Sequence, residues 1–396
     1  MVSQLVRPPQ LRLPGQPGER HATWLELFYD LVFAVAVSAL GSRLSTNVSP
    51  LHLLQFVALF VPVWWAWCGH TVYDTRFDTD DLFQRLATFG MMLAAAAMAI
   101  CIPQAFEGKA ALFAASFVVA RASLLILYIR ARRHVPEARA IANLYLTGFS
   151  IGAGLWAISI IVPQPFCYIL WAVGLAIDLA TPWFGMRRVL RPAPLDTTHL
   201  PERFASFTII VLGEIVYVIV TGVADNKALP LEFIGAVLAF CVTACMWWIY
   251  FTFIDEAPYA DSLGTGQPYI YAHLPVLIGL TVIGIGLGRA VEEAAHATLS
   301  LETRGLLATG ITVWVFAAMG LKLVSIRRLP SSRIFLRIIV AACTIAIMTL
   351  GANIPPLGLL SVLVVIMVTF VVFEIRYWNT RPSKAQAISA RNENKR

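Results

Sequence analysis

The sequence predicts an all-α fold, a polytopic membrane helical bundle of about 12 transmembrane helices in two parallel six-helix repeats. Three observations carry that prediction. Of the 396 residues, 58% are hydrophobic and only 13% are charged. A soluble domain uses about 25% charged residues to cover its surface, so this composition excludes an ordinary water-facing globule. Apolar runs long enough to cross a bilayer recur along the whole chain, punctuated by charge, Pro and Gly. Finally, roughly two dozen of the 30 Lys and Arg fall in the amino tail, the even-numbered loops and the carboxyl tail, which is the asymmetry expected of an even number of spans with both termini inside.

The runs place spans near 24–44, 51–73, 82–102, 110–130, 139–162, 166–186, 204–222, 230–254, 272–290, 305–324, 334–353 and 357–377. Residues 1–22 are expected to be a disordered cytoplasmic tail and 379–396 a basic cytoplasmic one, flanking halves at 23–190 and 199–378. The first twenty-odd residues lack an apolar signal core, so the first span is expected to act as an uncleaved targeting signal to the inner (plasma) membrane. The net charge of +7 is assigned to topology, because no basic stripe with interleaved aromatics marks a nucleic-acid surface. Cys68, Cys101, Cys167, Cys241, Cys245 and Cys343 lie in or beside apolar runs without metal-ligand spacing and are expected to pack as small hydrophobes.

Three motifs recur in order between the halves. His21-x4-Glu26-x-Phe28-x2-Leu31 is matched by His199-x2-Glu202-x-Phe204-x2-Phe207, Trp67-x6-Asp74 by Trp248-x6-Asp255, and Ala105-Phe106-Glu107 by Ala290-Val291-Glu292. Such duplication is a common way to build transporters around a site at the repeat interface.

Charges at membrane depth are the candidate site residues. Glu26 and Asp30 stand one turn apart in the first span; as neighbouring carboxylates they suit a proton or cation relay, while Glu26 alone also fits a headgroup-level acid at a helix amino terminus. Glu214 lies about halfway along the seventh span beside Gly213. Arg121 in the fourth span needs a buried partner, either Asp178 of the sixth or Glu214, serving as a staple or as a gate. Asp74, Asp78, Asp80 and Asp81 resemble a calcium loop but lack its glycine and closing glutamate; they read as a solvated acidic loop or as ion pairs with Arg76 and Arg85. Asp255, Glu256 and Asp261 form a loop free of Lys and Arg, a conceivable cation-attracting mouth. His70 and His273 are placed near helix ends, as pH sensors or simply hydrated. Glu292, Glu293 and His296 cluster after the ninth span. Trp64, Trp65, Trp67, Trp247 and Trp248 fit an interfacial belt, or a stacking box for a ligand ring. The glycines of IGIGLG at 283–288 fit close helix packing. No nucleophile elbow, Walker loop, dinucleotide fingerprint or HExxH occurs, and no cofactor or metal is implied.

Through WLELFYDLVFAVAV (24–37), the Trp64–Asp74 run with its acidic tail, and HLPERFASFTIIVLGE (199–214), the chain resembles the bacterial low temperature requirement protein A family. The resemblance implies a plasma-membrane protein associated with growth in the cold and highlights Glu26, Phe28, Asp30, Glu202, Arg203, Phe204 and Glu214; it brings no activity or substrate. Tyr29 stands where many members carry an apolar aromatic. The expected function is an ion (proton or cation) or small-solute transporter or channel, with Asp30 and Glu214 as protonatable or cation-binding carboxylates and Glu26 and Glu202 at the cytoplasmic approach. Its expected partners are the lipid bilayer and a small ion or solute. The alternative is a membrane-embedded enzyme acting on lipid or a polyprenyl carrier.

Overall fold

The computed structural model describes residues 7–12, 22–77, 79–190, 195–196, 199–224, 229–254, 266–326 and 331–379. The expected tails at 1–22 and 379–396 therefore lie largely outside the described residues, as do Asp78, Asp255, Glu256 and Asp261. Twelve helices among the described residues are long and apolar enough to cross a membrane. They are α1 (Trp24–Thr46), α2 (Pro50–Arg76), α3 (Leu82–Cys101), α4 (Ala110–His134), α5 (Arg139–Ser159), α6 (Phe166–Gly185), α7 (His199–Ala224), α8 (Leu229–Trp248), α9 (Gln267–Glu292), α10 (Leu301–Ile326), α11 (Ser331–Leu350) and α12 (Pro356–Asn379).

Local chemistry sets the starts. Thr23 and Glu26 form a reciprocal capping box on α1, Ser49 caps α2 ahead of Pro50, and Asp81 caps α3. The ninth span begins at Gln267 rather than 272, because Pro268 sits in its first turn, where a missing N–H costs nothing. The eighth passes into a π-helical turn, Ile249–Ile254. The eleventh begins at Ser331, which draws Arg333 into the helix.

Helix α9 is the hub: 72% of its most apolar stretch is buried, against 33–56% for the other spans. It packs on α1, α2, α7, α8 and α10. Its contact with α10 is close because glycines meet backbone: a Cβ on Gly279 would fall 2.8 Å from the Trp314 nitrogen, and one on Gly310 2.9 Å from the Ile283 nitrogen. The IGIGLG glycines lie, as expected, in helix contacts, against Ile215, Leu307 and Val218. Helix α1 packs on α2, α3 and α7, so the two spans that carry the motif acids are neighbours.

Candidate functional site

The first turns of α1 and α7 meet in a buried polar layer. Asp30 Oδ1 accepts hydrogen bonds from Arg203 Nη2 at 2.5 Å and from Trp67 Nε1 at 2.7 Å. Arg203 also reaches Glu26, Nη1 to Oε2 at 3.5 Å, and His199 Nε2 lies 3.5 Å from Glu26 Oε1. Glu202 accepts from the Ala22 backbone N–H at 3.2 Å. Asp30, His199 and Arg203 are fully buried, and Glu26 nearly so. A carboxylate removed from water needs a partner and further hydrogen bonds, and Arg203 with the Trp67 indole supplies both. The ring of Trp67 is held by Phe207, stacked at 4.4 Å, and by Phe204, edge-on at 4.9 Å.

Helix α2 extends the layer. His70 Nδ1 is 2.6 Å from Asp74 Oδ2, its Nε2 is 2.9 Å from Thr88 Oγ1, and Gln84 Nε2 donates to Asp74 Oδ1 at 2.7 Å. Tyr29 of α1 stacks on the His70 ring at 4.6 Å. His70 is thus a buried member of a network. His273 is also buried, bonded to the Tyr250 hydroxyl at 3.0 Å and the Tyr269 carbonyl at 2.8 Å. Neither histidine is interface-hydrated, because α2 and α9 are the spans enclosed by others. For the same reason Trp64, Trp65 and Trp67 are core residues rather than belt anchors, whereas Trp247 and Trp248 are exposed on the bundle surface.

The acidic loop is split between pairs. Asp80 and Arg85 form an exposed ion pair at 2.7 Å. Asp81, buried, accepts from the Gln84 N–H at 2.9 Å, from the Arg7 N–H at 2.9 Å and from Arg130. The Arg12 N–H donates to the Arg76 carbonyl at 2.8 Å, so residues 7–12 are strapped across this face. Burial opposes ionisation of Asp81, but the hydrogen bonds from Arg130, Gln84 and Arg7 outweigh it and hold the carboxyl below its usual range. A depressed folded pKa stabilises above the unfolded value of about 3.9 and loses that stabilisation as pH falls through the folded one. Asp81→Asn is therefore expected to lower stability at pH 7 by about 1.5–3 kcal/mol, the worth of hydrogen bonds to a charged group. The gap to the wild type closes in thermal melts below about pH 4.

Arg121 is paired with Asp178, Nε to Oδ2 at 2.9 Å, not with Glu214. The guanidinium lies among the rings of Trp65, Phe117 and Phe149, 4.8–5.9 Å from their centroids. Both groups are buried, and Asp178 reaches its place only because α5 carries Gly152, whose Cβ would fall 2.1 Å from Asp178 Oδ1.

Glu214 stands apart from all of these. With Glu292, Tyr217, Thr221 and three serines, Ser38, Ser42 and Ser45, it lines a cleft of about 190 Å³ between α1, α7 and α9. Asp30 is not among the lining residues, so the two carboxylates occupy separate sites on the same helix pair. Among the described residues Glu214 forms no ion pair. Glu293, next to the cleft's Glu292, instead holds the start of α10 through Ser300 and Thr303.

One charged cluster was not singled out from the sequence. Arg333 and Arg337 of α11 both pair with Glu374 of α12, and all three are buried. Their spacing, Arg333 and Arg337 one turn apart opposite an acid late in an apolar run, is the available signal; a span drawn from 334 leaves Arg333 outside the helix and obscures it.

Comparison with known proteins accords with the motif layout. Residues 21–372 match the family model described as bacterial low temperature requirement A protein. The chain is also 28% identical over 356 residues to an uncharacterized protein of Rhizobium meliloti (strain 1021), an alignment covering 81% of this chain and 85% of that one. The family match spans all the membrane helices but the end of α12, and the chain belongs to the bacterial low temperature requirement A (LtrA) family of multi-pass membrane proteins.

Proposed function

We propose that this protein moves a small cation, a proton or a small solute across the plasma membrane between α1 and α7. The observation that carries the proposal is Glu214: a carboxylate midway along an apolar span, facing an open cleft with hydroxyls around it instead of an arginine. An acid at that depth is costly unless it meets water, a cation or a proton. The lining of the cleft includes buried Val37 and Val211; along the same two helices it is followed by buried Phe33 and Phe207, and then by the Asp30–Arg203 layer. From Asp30 to Ser38 is about 12 Å at 1.5 Å per residue. A cleft lined by carboxylates and hydroxyls, an apolar collar and a closed ion-pair layer in series correspond to a shut pathway, and passage requires the Asp30–Arg203 contact to loosen.

The basic even-numbered loops support a cytoplasmic ion-pair layer and an external cleft. The matched motifs support a duplication, as does the packing order, in which α1 on α3 and α3 on α4 are echoed by α7 on α9 and α9 on α10. The halves differ where α8 packs on α12, while α2 packs on α4.

The test is flux. Purified full-length protein in liposomes under imposed proton, potassium or sodium gradients is expected to dissipate at least one of them, and Glu214→Gln to slow that by about tenfold, equivalent to roughly 1.4 kcal/mol on the path. Folded protein that passes none of these ions, or a Glu214→Gln variant as active as the wild type, overturns the cation and proton readings.

A further inference from the structure

We infer that the groove between α11 and α12 is a seat for one anionic phospholipid of the leaflet at the amino-terminal face. The groove has a volume of about 480 Å³ and runs from Ser332 and Tyr377 at its mouth to Cys343 and Val365 at its deep end. From Ser332 to Cys343 is about 16 Å at 1.5 Å per helical residue, half of a hydrocarbon core of about 30 Å, so its length is that of one leaflet. Exposed Phe335, Phe373 and Val365 flank it, which opens it sideways to acyl chains. An acyl chain fits these walls, which are almost wholly apolar below the mouth.

The choice of headgroup follows from charge. At the mouth Glu374 is shared by Arg333 and Arg337, the latter at 2.9 Å, so within this cluster two guanidiniums face one carboxylate. The amino terminus of the 20-residue helix α11 adds its positive end at the same level. The Arg333 guanidinium lies 4.8 Å from the Tyr377 ring centroid, and both side chains line the groove. A phosphodiester headgroup with net negative charge complements this mouth; a zwitterionic one brings its own cation and gains less. The observations favour a lipid over a second copy of the chain, because the groove ends near mid-bilayer, whereas a helix from another copy would need a surface running across both leaflets.

The test uses the full-length protein in detergent, with phosphatidylglycerol or phosphatidylcholine titrated in and bound lipid counted by native mass spectrometry. Phosphatidylglycerol is expected to bind about fivefold more tightly, the effect of one basic charge near a lipid surface. Arg333→Gln leaves one guanidinium, Arg337, for the one carboxylate, Glu374, so it is expected to erase the preference. Cys343→Trp, at an exposed position, is expected to block the deep end and remove the bound lipid, while Leu350→Trp, exposed and outside the groove, leaves it. The proposal is overturned if the preference survives Arg333→Gln, if Cys343→Trp binds like the wild type, or if glycerol phosphate displaces the lipid at equal concentration. A dimer that Cys343→Trp dissociates assigns the groove to a second copy and overturns it equally. Should Arg333→Gln fail to fold, the Cys343→Trp comparison decides.

Discussion

Replacing Arg203 with methionine is expected to destabilise the protein by about 3–5 kcal/mol, the cost of leaving a buried charge without its partner. Asp30 is fully buried and accepts from Arg203 at 2.5 Å, so the variant strands a carboxylate whose remaining side-chain hydrogen bond, among the described residues, is from the Trp67 indole. Asp30→Asn alone is expected to cost less, since the amide keeps an acceptor for Trp67, and Arg203 retains Glu26 at 3.5 Å. The double variant Asp30→Asn/Arg203→Met should recover a large part of the loss, giving a coupling energy of about 1–3 kcal/mol in a denaturation cycle. Additive losses would mean that the two side chains are not a pair.

The second large effect is expected at Arg121. Arg121→Met removes the ion pair with Asp178 at 2.9 Å together with the ring contacts of Trp65, Phe117 and Phe149, and about 3–5 kcal/mol is again expected. Unlike the Asp30 layer, this pair joins α4 to α6, away from the α1–α7 contact, and its acid is tucked against Gly152. It is therefore a staple: Arg121→Met/Asp178→Asn is expected to regain stability while leaving ion flux close to the wild-type rate. Restored stability with abolished flux would make the pair part of the pathway instead.

The contrast between these two pairs explains what the sequence could convey. Span positions were legible because bilayer thickness imposes a length, and Pro and Gly mark where it ends. The close contacts at Gly284, Gly286 and Gly288 were legible from composition, since only a missing side chain allows such approach. Ion-pair partners were not, because nothing local tells Arg121 apart from Arg203 as the mate of Asp30; tertiary placement of α6 and α7 decides it. Glu26 shows the intermediate case. Thr23-x-x-Glu26 is a capping box, so its place at a helix amino terminus could be read, yet its contacts with Arg203 and His199 depend on α7 arriving alongside. The tryptophans of α2 misled because an indole at a span end is ordinarily interfacial. Here α2 is covered by α1, α4, α7 and α9, and the cluster is core. The separation of Glu214 from Asp30 had no sequence signal, as both are simply acids within apolar spans.

Passage between α1 and α7 is tested most directly by thiol accessibility in liposomes. Single cysteines at Ser42, Ser38 and Phe33 would be placed in a Cys343→Ser background, which removes an exposed native thiol. Ser42→Cys and Ser38→Cys, in the cleft, are expected to react with a membrane-impermeant cationic thiol reagent. Phe33→Cys is expected to stay unreactive until Asp30→Asn opens the layer beneath it. Unreactive cysteines at Ser38 and Ser42, or a Phe33→Cys that remains shielded in the Asp30→Asn variant while ions still flow, contradict conduction between these helices.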